Sequence, residues 1–144
     1  MRWILPAFAT GPSAAALLLL RVVAGSAFMH HGWSKIQNPF HWMGEASTMP
    51  GFMQTLAALA EFGGGFCWIL GLLTPLASLG ILSTMTVALS THLLRGDPFV
   101  GRPGYELALV YFSIAFLLLL RGPGILSVDA VLFRRARENG PGQG

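Results

Sequence analysis

The chain has 144 residues, 53% of them hydrophobic and only 10% charged, with a mean hydropathy of +0.62. A soluble domain carries about a quarter charged residues, so this balance excludes an ordinary soluble enzyme and points to a membrane protein. The net charge of +3 comes largely from Arg134, Arg135 and Arg137, which in so apolar a chain reads as a topology signal rather than a nucleic-acid surface.

The predicted elements are four apolar helices, and the whole chain, residues 1–144, is expected to form one domain. Arg2 gives a positive start, but Arg21 interrupts the first apolar run, so that run is expected to be a retained helix rather than a cleaved signal. The first span runs from about residue 14 to 31, behind Gly11-Pro12-Ser13. An aromatic and methionine-rich stretch follows, with Phe40, His41, Trp42, Met43, Met49, Phe52 and Met53, and is expected at the membrane interface. The second span covers about 55–73. The third covers about 75–94, with Thr74 as N-cap and Pro75 at the first helical position. So short a connection makes these two a helical hairpin. Cys67, the only cysteine, falls inside the second span, so the sequence offers no disulfide, no CxxC pair and no cysteine metal cluster; a packing role is expected. After the turn Gly96-Asp97-Pro98 the fourth span runs from about 105 to 120 and stops at Gly122-Pro123-Gly124. The tail, 125–144, reads as an interfacial helix with Val128, Val131 and Leu132, then a disordered end. The expected fold is all-α, an antiparallel four-helix transmembrane bundle, because helices satisfy every backbone amide without water.

If each segment crosses the bilayer, the chain alternates direction and brings its ionisable residues to one face. His30, His31 and Lys35 close the first span, Glu61 lies near the start of the second, His92 and Arg95 close the third, and Glu106 opens the fourth. Charge at membrane depth is costly unless paired or used. In the second span Glu61, Gly64, Gly65 and Trp68 follow i, i+3, i+4, i+7 and share one face, which the two glycines open to a neighbouring helix. In the third, Ser78, Met85, Ala88 and His92 share a face. His30 and His31 diverge by roughly 100°, so one alone can face the axis. Glu61 and His92 are expected to be coupled. Candidate ligand-binding residues are thus His30, His31, Lys35, Glu61, Trp68, His92, Arg95 and Glu106. Structural alternatives stand beside them: a histidine at a span end caps the helix, and Glu61 with Lys35 or Arg95 fixes register as an ion pair. Arg21, about 10 Å in from the opposite end, is assigned a structural role, either snorkelling or pairing with Asp129; Gly64 and Gly65 are assigned to packing.

Several stretches together resemble the DoxX family: Leu20-Arg21-Val22-Val23-Ala24-Gly25 before His31-Gly32-Trp33-Ser34-Lys35, then Glu61-Phe62-Gly63-Gly64, Gly71-Leu72-Leu73-Thr74-Pro75, His92, and Gly122-Pro123-Gly124-Ile125-Leu126-Ser127-Val128-Asp129. The resemblance spans roughly residues 17–129. It implies a four-helix protein of the bacterial inner membrane, in a family named after a subunit of a thiosulfate:quinone oxidoreductase and associated with membrane redox complexes. His30 and the methionines of the first loop are outside that pattern.

Three functions compete. The leading one is a membrane redox subunit that binds a quinone or another small apolar ligand, with His31 or His92 donating to a carbonyl, Glu61 relaying protons, and Lys35 or Arg95 stabilising negative charge. With neither a dinucleotide fingerprint nor a cysteine pair in the sequence, electrons would come from a redox partner protein or a bound cofactor. The second is a non-enzymatic scaffold or assembly partner that docks a protein at the aromatic loop. The third is metal binding: haem between His30 or His31 and His92, or copper as Cu(I) on His41, Met43, Met49 and Met53. Lipid is the expected surrounding, nucleic acid is not an expected partner, and a homo-oligomer is compatible with the pattern.

Lysine and arginine counts set the orientation. Arg2, Arg121, Arg134, Arg135 and Arg137 lie on the side of both termini, against Lys35, Arg95 and Arg102 on the other. Both termini are therefore expected in the cytoplasm. Reporter fusions should show the loops holding Lys35 and Arg102 outside; a C-terminal reporter active in the periplasm would reverse the assignment.

Overall fold

The computed structural model describes residues 8–45 and 47–138, the side chains of 134–138 excepted. Arg2, the side chains of the basic patch Arg134, Arg135 and Arg137, and the expected disordered end lie outside the described residues. Every regular element among them is helical: α1 (Pro12–Gln37), α2 (Gly51–Leu70), α3 (Thr74–Arg95), α4 (Glu106–Arg121) and α5 (Val128–Glu138). Helix α1 packs on α2, α2 on α3, and α3 on α4. Both α1 and α3 are long and apolar enough to cross a membrane.

Two boundaries differ from the sequence expectation in ways that matter. Helix α1 continues to Gln37, so Gly32-Trp33-Ser34-Lys35 stays helical and places Lys35 one turn beyond His31. Helix α2 starts at Gly51, behind Pro50, and Glu61 therefore sits at its middle, about 15 Å from its start, rather than near an end. The charge is buried deeper than expected and needs a partner.

The contact between α1 and α2 is made of glycine. A Cβ on Gly25 would stand 2.6 Å from the Gly65 carbonyl oxygen, and one on Gly32 would stand 2.6 Å from the Phe62 amide nitrogen. Gly65 faces α1 in return, while Gly64 faces Ile81 of α3, so the two adjacent glycines serve different neighbours. Small residues let backbones approach where no hydrophobic drive exists between helices. The core then closes around Phe28, Trp68, Ile81, Ala115 and Leu118, all almost fully buried. Trp68 donates its indole N–H to Ser78 Oγ at 3.0 Å and meets Phe28 edge-on. Helix α4 turns Ala108, Ala115 and Leu118 inward, leaving Glu106 and Ser113 on its exposed side.

At the opposite end Arg21 neither snorkels nor pairs with Asp129, the two alternatives the sequence left open; each residue is attached separately. Arg21 is fully buried and donates from Nη2 to the Leu126 carbonyl at 2.5 Å. Asp129 instead accepts from the amides of Leu73 and Thr74, at 2.8 and 2.9 Å. It is thus the N-cap of α3 supplied from α5, and Thr74, expected to be that cap, is the first helical residue. A carboxylate suits this position because it satisfies free amides at the positive end of the helix. It also holds Leu73 in a left-handed conformation, φ 48°, which costs an L residue about 1 kcal/mol. Gly71 closes the same turn: a Cβ there would overlap the Arg21 guanidinium.

Gly65→Val should therefore separate α1 from α2 and lower stability by about 1–3 kcal/mol or abolish accumulation. Gly63, with open space at its Cβ position, should accept alanine without loss. Thermal unfolding in detergent compares them; equal tolerance at both positions would contradict a glycine-mediated contact.

Candidate functional site

The site is built around Glu61. Its carboxylate accepts two hydrogen bonds from Lys35 Nζ, at 2.7 and 2.6 Å, and only 7% of its side chain is exposed. Helix α1 brings Lys35 within reach because it extends past His31 and lies against α2 at Gly32. The ammonium also stands over the Trp42 ring, 4.4 Å from its centre, and is held between a carboxylate and a π face. Breaking such a pair by removing one member leaves a buried charge without compensation.

Trp42 is held in turn by α2. Its indole donates to the Gln54 carbonyl at 2.9 Å, while the Gln54 side chain accepts from the Met43 amide and donates to the Met49 carbonyl. Gln54 is itself buried. The buried amide fastens the loop ahead of α2 to the helix.

His92, in the last turn of α3, bonds through Nδ1 to Asp97 at 2.7 Å. Gly96, in a left-handed conformation, turns the chain back so that Asp97 reaches the ring. With Asp97 engaging Nδ1, Nε2 is the nitrogen left to face a ligand. Glu61 and His92 therefore have different side-chain partners, Lys35 and Asp97, rather than each other.

Two cavities meet at these side chains. The larger, about 540 Å³, lies between α2, α3 and the loop joining α1 to α2; Met43, Met49, Met53, Leu56 and Val87 give it an apolar wall. The smaller, about 250 Å³, lies among the four long helices and is lined by Phe28, His31, Met85, Leu107 and Tyr111. Lys35, Glu61, Ala88 and His92 border both. The hydroxyls of Ser83 and Thr91 in the larger cavity donate to carbonyls of their own helix, so lone pairs are what they offer a ligand. The ionisable side chains that border both cavities are Lys35, Glu61 and His92.

Of the residues singled out in the sequence, His31, Lys35, Glu61 and His92 are brought together. His30 is turned away, into a groove between α1 and α2 with Ser26, Met29, Trp33 and Phe62. Trp68 belongs to the core, and Arg95 and Glu106 are exposed; none of the three lines either cavity. His41 is exposed and likewise lines neither. Sequence reasoning missed Asp97, Gln54 and Tyr111 as site residues and read Trp42 only as a belt residue. Gln54, a lone amide at the head of an apolar run, was the one legible signal. Among the described residues no group of three or more His, Cys, Asp or Glu side chains could hold a metal.

The DoxX family model matches residues 16–93, more than half of the chain and including Lys35, Glu61 and His92. The chain belongs to the DoxX family. It is 32% identical over 126 residues to the Bacillus subtilis (strain 168) protein named "Putative oxidoreductase CatD", covering 85% of this chain and 90% of that one. It is 33% identical over 125 residues to the "Inner membrane protein YqjF" of Escherichia coli (strain K12), covering 83% and 93%. No solved structure matches. Membership makes this DoxX chain a membrane protein.

Lys35→Met and Glu61→Gln should each destabilise this DoxX protein by about 3 kcal/mol, and the double variant should cost clearly less than the sum. The coupling should exceed that between Glu61→Gln and His92→Gln, whose side-chain partners differ. Detergent unfolding of the full cycle tests this; additive Lys35 and Glu61 effects would show that the pair is not a unit.

Proposed function

We propose that this protein is a quinone-binding subunit of a membrane redox system. The observation that carries the reading is the apolar 540 Å³ cavity whose polar end is Lys35, Glu61 and His92. Small-molecule sites occupy about 300–1,000 Å³ and combine apolar walls with a few placed polar groups. A quinone ring would lie between α2 and α3 with its chain toward lipid. Lys35 would donate to a carbonyl oxygen, His92 Nε2, with Nδ1–H given to Asp97, would accept from the quinol hydroxyl, and Glu61 would pass protons from the smaller cavity, since reduction takes up two protons with two electrons. The electrons would come from a partner protein. The oxidoreductase name of the Bacillus relative agrees with this reading. In the same proposal the four long helices form an antiparallel transmembrane bundle with both termini cytoplasmic, which puts the site at the periplasmic or outer face, and α5 lies at the inner interface. A scaffold role is the second reading, favoured by exposed Phe40, Phe99 and Val100 around the same end.

Mass spectrometry of lipids retained through purification tests the first reading. Quinone should be enriched over a bulk membrane extract, and His92→Leu should lose that enrichment while remaining folded. Folded wild-type protein with no enrichment would leave the scaffold reading in its place.

A further inference from the structure

We propose that Met43, Met49 and Met53 form a thioether site for a soft monovalent cation of the Cu(I) class. Three of the six methionines in the chain fall within eleven residues, and all three line the larger cavity. One buried side chain, Gln54, ties two of them together. The carboxamide of Gln54 accepts from the Met43 amide at 3.1 Å and donates to the Met49 carbonyl at 2.9 Å, while Met53 precedes Gln54 in the chain. Two of the three backbones are thus tied to a single amide group whose own residue follows the third, and all three side chains line one cavity.

The chemistry of the lining favours a soft ion over a hard one. A thioether is neutral and polarisable, so it binds Cu(I) or Ag(I) well and competes poorly for Mg²⁺, Ca²⁺ or Zn²⁺. The nearest cation does not repel such an ion strongly, because Lys35 is already neutralised by Glu61. Met43 and Met53 are nearly half exposed, at 45% and 48%, so the thioethers are accessible at the protein surface. The Met43 sulfur accepts a long contact, 3.7 Å, from the Ser47 hydroxyl, a weak bond that a metal would replace. His41 is the obvious fourth candidate from the sequence, but it is exposed and outside the cavity, so the ligand set is the methionines. Leucine matches methionine in volume and polarity without a donor atom, which separates this site from any apolar ligand sharing the cavity.

The test is titration of the purified full chain in lipid nanodiscs with Ag(I), and with Cu(I) under ascorbate against a chromophoric Cu(I) chelator. One equivalent should bind, Zn²⁺ should not compete, and X-ray absorption of the Cu(I) form should show a sulfur shell. Each single Met→Leu change at 43, 49 or 53 should weaken binding by roughly 10-fold or more, and the triple change should abolish it. Cys67→Ser should bind like the wild type. Thermal unfolding confirms that the leucine variants are folded, and Gln54→Leu, which frees the loop, should weaken binding with all three sulfurs present. Undiminished binding in the triple variant, loss of binding with Cys67→Ser, a nitrogen-dominated shell, or no binding by the wild type would each overturn the assignment. None of these outcomes bears on quinone enrichment, which is read separately.

Discussion

A carboxylate at the middle of an apolar helix is the constraint around which this protein is arranged. Glu61 cannot reach water by bending, as a residue at a helix end could, and an unpaired charge at that depth is expensive. Its partner must come from another helix. Lys35 supplies it only because α1 runs on past His31 to Gln37, and only because Gly25, Gly32 and Gly65 let α1 and α2 approach to backbone distance. The ion pair and the glycine contact therefore depend on each other: separating the helices would strand the carboxylate, and removing the charge would leave the close approach without its polar purpose.

The two ends of the molecule treat buried charge differently. At one end Arg21 and Asp129 are tied to backbone groups, the Leu126 carbonyl and the amides of Leu73 and Thr74. Those bonds join α1 to the segment ahead of α5, and α5 to the α2–α3 turn, and direct both residues to architecture. At the other end Lys35, Glu61 and His92 are bonded to side chains and border two cavities. Side-chain pairs can exchange partners or protons without unfolding the backbone, whereas backbone caps cannot. The contrast is why the proposed chemistry is placed at the second end. His92 shows the principle in small: Asp97 orients the ring through one nitrogen and leaves the other for a ligand.

Much of the fold was legible because helical periodicity is local. The apolar runs, the turn at Gly96, and the shared face of Glu61, Gly64, Gly65 and Trp68 follow from 3.6 residues per turn and from backbone preferences that a sequence carries on its surface, whereas the second helix ends at Leu70, three residues short of the expected 73. The divergence of His30 and His31 was legible for the same reason. Even the errors in boundary, at Gln37 and Gly51, came where tertiary bonds from Lys35 and Gln54 favoured more helix than apolarity alone would give.

Composition and periodicity by themselves determined that this is an apolar helical chain whose ionisable residues gather at helix ends and on one stripe of α2. What only the tertiary structure decided is the pairing. Whether Lys35 or Arg95 answers Glu61, whether Asp129 meets Arg21 or caps α3, and whether Trp68 lines a cavity or fills the core all depend on the rotation and offset of one helix against another. Those are set by small contacts such as Gly32 on Phe62 and Gly64 on Ile81, summed over distant parts of the chain. No local pattern encodes that sum, so the residues that could act were visible in the sequence while the site itself was not.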